Sequence, residues 1–547
     1  MKTGIQKVID GAGGRINQMN NSGTIHSGRL SYGTLLIGAL SLISLFRVFY
    51  ILWGPLDLSP DEALYWDCTR RPELSYYTKG PLIVYLMLLS THVFGTNVFG
   101  VRILAVVFAA LSSVYLYKLC VSMFSDTEKG RLTGFAAAML FQIIPLYAAY
   151  GVIFTIDSPF VFLWIASLYI FWKIIAEEER DKQSCYVLWI VLGVLTGIGF
   201  MAKYIMALFY ICAFLFLLLT ENRRLLKTPK PYVSFIAGIL ALSPVIIWNA
   251  AHGWATLRHT AGHAHVADGF KILPLSFLEF TGSQLGVVTP VVLVLILIAL
   301  FRLRGSLTGN FMFWFSIPVL LFFTVKSIQG KVQANWPMTG YITGIAAASW
   351  VYYTKDAFKE MSIHAKRTIV IGTAAAALVT AVGHFPVVLH LNPDNDPAAR
   401  LRGWREFGTA ITALYGELKQ EGKAYAYGTE VFLFSDKYQV TAEMAFYAKG
   451  NPLVYCINLG RRTNEYDMWP GINENALNIK RAAPQRRIDA IFATDGRDSL
   501  HPMVASAFDR CDKTPLTVNE NGQILREYTI FKCYNFKGMV EVKPTTY

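Results

Sequence analysis

The chain has 547 residues, of which 54% are hydrophobic and only 16% are charged, and its formal net charge is +13. Soluble domains carry about 25% charged residues. This composition, with a mean hydropathy of +0.38, therefore excludes a soluble globular enzyme and a disordered protein. Because the apolar residues form long runs, we predict a multi-span membrane protein surrounded by membrane lipids. The basic excess is explained by cytoplasmic loops that set orientation, so no nucleic-acid partner is predicted.

The apolar runs predict eleven membrane helices behind a polar segment. Residues 1–31 are polar and basic, and no small-residue cleavage site follows the first apolar run. We therefore predict a cytoplasmic tail over 1–31 and not a cleaved signal peptide. Each later run approaches the ~20 apolar residues that cross a bilayer. The predicted spans are about 32–53, 101–123, 131–151, 158–175, 186–201, 204–220, 232–249, 284–301, 310–327, 335–353 and 367–391.

One further apolar run, 81–95, is too short to span. As a helix it would be about 22 Å long, against a hydrocarbon core of about 30 Å. If it does not cross, the cytoplasmic segments carry 20 Lys and Arg residues and the outer segments carry 9. If it did cross, the basic loop 221–231 would face outward, against the positive-inside rule. We therefore predict an interfacial helix in a long first outer loop, with the N-terminus inside and the C-terminus outside.

The composition changes at a polar linker, 392–397. Beyond it, the sequence predicts a helix near 404–421 and strands in AYAYGT, PLVYCINL, IDAIFATDG and REYTIFKCYNF. Gly522 lies between two strand-like stretches and predicts a hairpin. We therefore predict a transmembrane domain over 32–391 and a small extracytoplasmic α/β domain over 392–547.

The cysteines and histidines give weak signals for metal binding. None of the seven cysteines has paired metal-type spacing. The predicted outer domain lies in an oxidising compartment, which favours a disulfide between Cys511 and Cys533 and leaves Cys456 unpaired. Three cysteines allow three pairings, so the other two stay open. Loop histidines without a third fixed ligand leave a divalent metal open, and no other cofactor is predicted. The two histidine pairs are His252 with His259 and His263 with His265.

Three carboxylates stand at the outer ends of predicted spans. Asp61 and Glu62 lie in LSPDEALYWD, and Asp157 lies in FTIDSP. Charges beside a bilayer are costly and need a reason. Helix capping is one reason, because Ser59 begins a capping-box pattern. A capping carboxylate is also held rigidly, as a general base must be. Adjacent helical residues point about 100° apart, so Asp61 and Glu62 cannot both face one substrate atom well.

Basic side chains on the outer segments are candidate partners for an anionic lipid head. Phosphate is bound well by arginine forks and lysine point charges, and a snorkelling side chain is the alternative for each. Lys79 is the strongest candidate, because two tyrosines and a Gly-Pro turn flank it. Arg47, inside the first span, either snorkels outward or neutralises Asp61 or Asp157. The other candidates are Lys203, Arg258, His259 and Lys331.

Five motifs occur in a family-specific order. They are Asp61-Glu62-Ala63-Leu64-Tyr65-Trp66, Tyr76 to Leu82, Arg102, Thr155 to Pro159 and Gly193 to Tyr204. Together they resemble the bacterial branch of the C-type glycosyltransferases over roughly residues 30–390. That branch is similar to the dolichyl-phosphate-mannose protein mannosyltransferases and to the aminoarabinose transferase of lipid A. The resemblance implies an α-helical polytopic fold of the C type.

The resemblance also implies a reaction, in which a sugar leaves a polyprenyl-phosphate carrier at the outer face with inversion of the anomeric carbon. It places the catalytic carboxylate at Asp61, with Asp157 as a second acidic group. Lys79 falls on a lysine that meets the lipid phosphate, and Tyr76 lies in the same substrate-binding segment. Thr78 stands where the aminoarabinose transferase has a carboxylate, so a metal or amino-sugar contact there is in doubt. Glu62 joins the predicted substrate-binding set.

These observations predict an inverting glycosyltransferase of the bacterial inner membrane that uses a polyprenyl-phosphate-sugar donor. The acceptor is a lipid, such as lipid A, or another envelope glycan, a hopanoid-type lipid or a protein hydroxyl, and the sugar is open. A transporter or flippase of lipid-linked glycans is the rival, but such proteins often carry pseudo-symmetric halves, and no internal repeat is visible by eye. A structural scaffold that displays the tail is a third class.

The topology can be tested directly. We expect a cysteine introduced as Lys227→Cys, in a background without other cysteines, to react only when the cytoplasmic side is accessible, because the 221–231 loop carries four basic residues. A cysteine placed in the tail is the control and should react from outside. Labelling of the 227 position from outside would contradict both the orientation and the interfacial placement of 81–95.

Overall fold

A computed structural model describes residues 30–180, 184–263, 271–385, 392–393, 396, 398–496, 499–520, 522–540 and 542. The predicted cytoplasmic tail, up to residue 29, lies outside the described residues. The same is true of His265, the last six residues of the predicted span 367–391, and half of the predicted linker.

The first two thirds of the chain are helical. The helices are α1 Tyr32–Trp53, α2 Pro60–Thr69, α3 Leu82–Phe94, α4 Val98–Phe124, α5 Glu128–Ile143, α6 Pro145–Ala149, α7 Asp157–Glu179, α8 Tyr186–Ala202, α9 Ala207–Leu218, α10 Lys230–Ala241, α11 Ser243–Ala251, α12 Ala255–His263, α13 Pro274–Val288, α14 Pro290–Arg302, α15 Leu307–Trp314, α16 Ile317–Gln329, α17 Met338–Tyr352, α18 Lys355–Glu360 and α19 Ile363–His384. Each predicted span coincides with a helix or a helix pair, and the predicted interfacial run is α3. The polytopic helical fold is thus confirmed.

The number of membrane crossings is less definite than the helices. Among the described residues, five helices are long and apolar enough to cross a membrane, and up to eight spans result if each bent helix pair counts as one. The predicted number of eleven therefore stays a prediction. One predicted span, 284–301, is not straight, because α13 and α14 meet at 94°. Thr289 has a positive φ of 72° there, and Pro290 cannot continue the ladder of helical hydrogen bonds.

The glycine-rich motif of α8 has a packing role. A Cβ on Gly193 would lie 2.1 Å from the carbonyl oxygen of Ser234, and one on Gly197 would lie 2.5 Å from that of Gly238. The two glycines therefore let the backbones of α8 and α10 approach closely, as small residues do between membrane helices. This contact fixes the end of α8, from which Lys203 follows.

The tail is an α/β unit, as predicted. Its elements are α20 Trp404–Gly422, β1 Thr429–Ser435, α21 Tyr438–Tyr447, β2 Val454–Cys456, α22 Ile472–Ala482, β3 Arg487–Asp495, α23 Pro502–Ser506, β4 Arg510–Glu520 and β5 Gln523–Tyr534. The sheet order is β2-β1-β3-β5-β4. The first three strands in this order are parallel, and β5 and β4 continue the sheet antiparallel.

Most predicted tail elements are confirmed, but one strand is misplaced. The predicted strand AYAYGT is wrong, because residues 423–427 form turns in which Tyr425 and Tyr427 are exposed. The strand begins at Thr429, where the following apolar residues are buried between two helical layers. The hairpin is confirmed, with Gly522 at φ 78°. Cys511 and Cys533 pair as predicted and form a disulfide between the adjacent strands β4 and β5.

The tail packs against the segment that joins α1 to α4. One hydrophobic core contains residues of α2, α3 and α4 together with residues of α20, α21 and the sheet. Trp66 of α2 meets Phe446 of α21 edge to face, with ring centroids 5.1 Å apart. The phenol of Tyr447 accepts a hydrogen bond from the amide of Leu58 at 2.8 Å. Burial of this shared apolar surface holds the tail on the segment between α1 and α4.

A fully buried ion pair anchors the segment that carries α2 to α4. The guanidinium of Arg102 forms two hydrogen bonds to the Glu62 carboxylate, at 2.9 and 2.8 Å. It also donates to the carbonyl oxygens of Leu56 and Asp57. The Glu62 carboxylate in turn accepts from the amide of Phe154 at 2.9 Å. Three separate segments of the chain are therefore tied together at one point.

This pair generates a stability prediction. Arg102→Met leaves the Glu62 carboxylate buried without its cation, which typically costs about 3–5 kcal/mol. Thermal unfolding in detergent should show a clear drop in the midpoint, and the double variant Arg102→Met with Glu62→Met should recover part of it. Arg131→Met is the matched control, because Arg131 pairs with Asp126 at the surface, where ion pairs contribute little. Equal midpoints for Arg102→Met and the control would contradict the anchoring role.

Candidate active site

A cavity of about 1150 Å³ lies between the membrane helices and the tail. Its lining on the membrane side comes from the starts of α2 and α7, from α13, and from the segment before α17. Its lining on the tail side comes from residues near the starts of α20 and α21, from β3 and from β5. The two halves of the chain therefore form one site.

Asp61 reaches this cavity because its helix is fixed behind it. Ser59 and Glu62 complete a capping box at the start of α2, which satisfies the free amides of the first turn. The Glu62 carboxylate points into the core, so Asp61, one position earlier, is turned toward the cavity. The phenol of Tyr438 donates a hydrogen bond to Asp61 Oδ1 at 3.3 Å.

The second carboxylate, Asp157, is buried at the first residue of α7 and is fully engaged. Lys203 Nζ lies 2.6 Å from Asp157 Oδ1, and the amide of Asn335 donates to Oδ2 at 2.8 Å. All three residues line the cavity. Tyr65 also lines it, and burial raises its phenol pKa well above the ordinary value, with the charges of Asp61 and Asp157 adding to the effect. Both carboxylates therefore line the same cavity.

Two predicted substrate-binding residues do not reach the cavity. Glu62 is fully buried and its two oxygens are engaged with Arg102, Ser59 and the Phe154 amide. Tyr76 is also fully buried, and its phenol bridges the amide of Glu73 and the carbonyl of Arg71. Their side chains therefore hold the fold together in this structure, because motif position does not reveal which way a side chain points, and their substrate contacts stay a prediction.

Lys79 lies behind the cavity wall. Its ammonium sits 3.9 Å from the ring centroid of Tyr65, and the residue is 8% exposed. Burial raises the pKa of the nearby Glu465 carboxyl to about 7, and the Lys79 charge opposes that shift. Glu465 belongs to the tail, and its Oε2 accepts from the Thr78 amide at 3.4 Å. The structure therefore places Lys79 in a buried polar cluster beneath Tyr65 and not on the cavity surface.

The remaining predicted cations form two groups, those that line the cavity and those that lie outside its lining. Lys203 and Lys331 line the cavity, and Lys331 is exposed there. Arg258 and His259 lie on α12, outside the cavity lining, and the ring of His259 packs on Tyr77 at 4.9 Å between centroids. Arg47 is buried against Gly151 and neither snorkels nor pairs with a cavity carboxylate in the described part of the chain.

The histidine pairs form no metal centre within the described residues. His252 stacks on Trp248 and bonds its carbonyl oxygen, while His265 and the side chain of His263 fall outside the described set. Across the described ranges, no group of three His, Cys, Asp or Glu side chains could hold a metal ion.

Several cavity residues could not be identified from the sequence alone. Arg400, Lys437, Tyr438, Asp495 and Arg526 all line the cavity, yet each lies in the tail, more than 330 residues from Asp61 in the chain. Neither periodicity nor a motif connects them to the segment that carries Asp61. Only the docking of the tail brings them there.

The chain is similar to glycosyltransferases of known type. Residues 78–248 match the family described as dolichyl-phosphate-mannose-protein mannosyltransferase. The chain is 28% identical over 316 residues to the lipid A galacturonosyltransferase RgtD of Rhizobium johnstonii, which covers 57% of this chain and 64% of that protein. It is 32% identical over 192 residues to the undecaprenyl phosphate-alpha-4-amino-4-deoxy-L-arabinose arabinosyl transferase of Pseudomonas savastanoi pv. phaseolicola, over 33% and 34% of the two chains. The alignments thus span less than two thirds of either relative.

The whole architecture has a solved counterpart. The crystal structure of ArnT from Cupriavidus metallidurans bound to undecaprenyl phosphate covers 90% of this chain and 97% of that one, with a TM-score of 0.59 and 11% identity. The chain has a C-type glycosyltransferase fold. The resemblance carried by the five motifs is therefore confirmed, and this C-type fold extends through the tail.

Proposed function

We propose that this C-type glycosyltransferase transfers a sugar from a polyprenyl-phosphate carrier, with inversion, to a lipid A-like or other envelope acceptor. The observation that carries the proposal is the cavity that holds Asp61 and the Asp157–Lys203 pair between the membrane helices and the tail. A carboxylate and cations in one cavity are what such a displacement needs. The relatives that use undecaprenyl-phosphate sugars or act on lipid A support the substrate classes.

The proposed chemistry uses Asp61 as the base. Its carboxylate takes the proton of an acceptor hydroxyl while the acceptor oxygen attacks the anomeric carbon. The bond between that carbon and the phosphate oxygen breaks, and the polyprenyl phosphate leaves with the electron pair. The leaving phosphate is anionic and needs cations and not an acid, a role that Lys203 and Lys331 can serve. If the acceptor is itself a phosphate, Asp61 orients it instead.

We place the reaction at the outer face of the bacterial inner membrane. The positive-inside count supports this orientation. The disulfide between Cys511 and Cys533 supports it independently, because such bonds persist in oxidising compartments. No observation favours the transporter alternative, and the relatives are transferases by name.

The first test removes the base. Asp61→Asn keeps the shape of the side chain but accepts no proton, so we expect turnover with a polyprenyl-phosphate sugar to fall by about 10²–10⁴-fold while donor binding survives. The matched control is Asp512→Asn, at an exposed carboxylate of β4, which should transfer at the wild-type rate. Near wild-type turnover of Asp61→Asn would show that Asp61 is only a helix-capping residue.

The second test asks which lysine meets the carrier phosphate. Lys331 is exposed in the cavity, whereas Lys79 lies under Tyr65. We therefore expect Lys331→Ala to weaken binding of undecaprenyl phosphate in nanodiscs by roughly ten- to a hundredfold, the value of a charge-assisted bond. Lys79→Ala should lower thermal stability more than affinity. The reverse result, a stable Lys79→Ala protein that no longer binds the carrier beside a normal Lys331→Ala, would return the phosphate to Lys79.

A further inference from the structure

The side chain of Asp61 is restrained by a contact from the tail. The phenol of Tyr438 donates a hydrogen bond to Asp61 Oδ1 at 3.3 Å, although the two residues are 377 positions apart in the chain. Asp61 is exposed to the cavity and forms no ion pair with any described residue. Its backbone is fixed by the capping box of α2. Within the described ranges, the rotation of its carboxylate is therefore limited by one hydrogen bond.

The other cavity carboxylate is held in a different way. Asp157 Oδ1 lies 2.6 Å from Lys203 Nζ, and Asp157 Oδ2 accepts from the amide of Asn335 at 2.8 Å. Both oxygens of Asp157 are therefore occupied, whereas Asp61 bonds through Oδ1 and keeps Oδ2 without a hydrogen bond to the described residues. A general base needs one oxygen that is open to the proton donor, on a side chain that does not rotate away from it. The single bond to Oδ1 gives Asp61 both properties.

Tyr438 is itself held in place by the fold of the tail. It is the first residue of α21, and its half-buried ring packs against the apolar core that the tail shares with α2. The preceding residue, Lys437, pairs with Asp495 of β3 at 2.5 Å, so the start of α21 is tied to the sheet. The hydroxyl group stands at the cavity, beside Asp61. A phenol with a packed ring and a fixed helix start can orient its partner.

We propose that Tyr438 is a positioning residue for the base, because its hydrogen bond to Oδ1 fixes the Asp61 carboxylate and leaves Oδ2 open to the acceptor. In the transfer step, Oδ2 takes the proton of the acceptor hydroxyl while the acceptor oxygen bonds to the anomeric carbon. The bond from that carbon to the phosphate oxygen breaks, and the electron pair leaves with the polyprenyl phosphate. Tyr438 keeps its own proton, since burial and the charge of Asp61 raise the pKa of its phenol. The inference rests on the proposed function and gives the tail a part in it.

A second phenol lines the cavity close to the base. Tyr65 follows Asp61 by about one turn of α2, and its ring covers the Lys79 ammonium at 3.9 Å from the ring centroid. Among the described residues, however, the Asp61 carboxylate is hydrogen-bonded to Tyr438 and not to Tyr65. The positioning role therefore falls to the tail residue, and the geometry of the base depends on how the tail is docked.

The experiment is a double-mutant cycle of Tyr438→Phe and Asp61→Asn in nanodiscs, with lipid A as the acceptor and undecaprenyl-phosphate donors that carry a neutral hexose, a uronic acid or an amino sugar. Tyr438→Phe removes one oxygen atom and keeps the packed ring. We expect it to lower kcat by about tenfold, the lower end for a hydrogen bond to a charged group because the bond is long, and to leave both KM values within about twofold. In the Asp61→Asn background, the same substitution should change turnover by less than about twofold, since the group that Tyr438 orients is gone.

The outcomes separate this inference from the proposed function. Tyr427→Phe, at an exposed tyrosine of the tail, is the matched control and should transfer at the wild-type rate. An equal loss from Tyr438→Phe in both backgrounds would show that Tyr438 acts through packing or a substrate contact and not through Asp61. An unchanged kcat, or a raised KM at constant kcat, would also overturn the inference while the proposed function stands. If the wild-type protein transfers sugar from no undecaprenyl-phosphate donor, the proposed function is wrong, and the role of Tyr438 with it.

Discussion

The fully buried pair of Glu62 and Arg102 is the interaction on which the arrangement of the cavity and the docking of the tail depend. Glu62 closes the capping box of α2 and bonds the Phe154 amide, and Arg102 bonds the carbonyls of Leu56 and Asp57. Breaking such a pair leaves an uncompensated charge in an apolar core. Because Glu62 must face inward, the preceding Asp61 faces the cavity, and the segment before Asp157 is held beside it. One ion pair thus sets the relative position of both cavity carboxylates.

The tail is a structural part of the site. The Asp57 carboxylate accepts a hydrogen bond from the backbone amide of Trp404 and forms an ion pair with Arg405 at 2.8 Å. The loop that carries Asp61 therefore also fixes the start of α20. Helix α21 of the tail packs against the same loop. Its Glu443 is fully buried, and neither carboxylate oxygen is hydrogen-bonded in the described structure. Burial raises the pKa of Glu443 well above its ordinary value. The cause is the loss of water around the carboxyl, which disfavours its charged form between the two halves.

The sequence was sufficient for the features that depend on composition and local pattern. Apolar runs located the helices, and the motif order identified the fold class, because both are encoded in contiguous segments. Of the site residues predicted from the sequence, Asp61, Asp157, Lys203 and Lys331 line the cavity, whereas Glu62 and Lys79 lie outside its lining. A spacing pattern fixes a residue on a segment but not the contact that its side chain makes. The sequence could not identify Arg400 and Tyr438 as cavity residues, because only the docking of the tail brings them there.

Paired and unpaired charged side chains have different meanings for ligand binding in the cavity. In a chain with few charged residues, a charge near the membrane is retained where it has a partner or a ligand, because desolvation is otherwise too costly. Arg102, Lys203, Lys437 and Arg402 all have carboxylate partners, and these pairs need no ligand to be stable. Asp61, Lys331 and Arg400 form no ion pair in the described ranges and stay in contact with the solvent of the cavity. A substrate with a transferable proton and anionic groups would supply partners for these three side chains. A structural scaffold that only displays the tail would not require them to line one cavity.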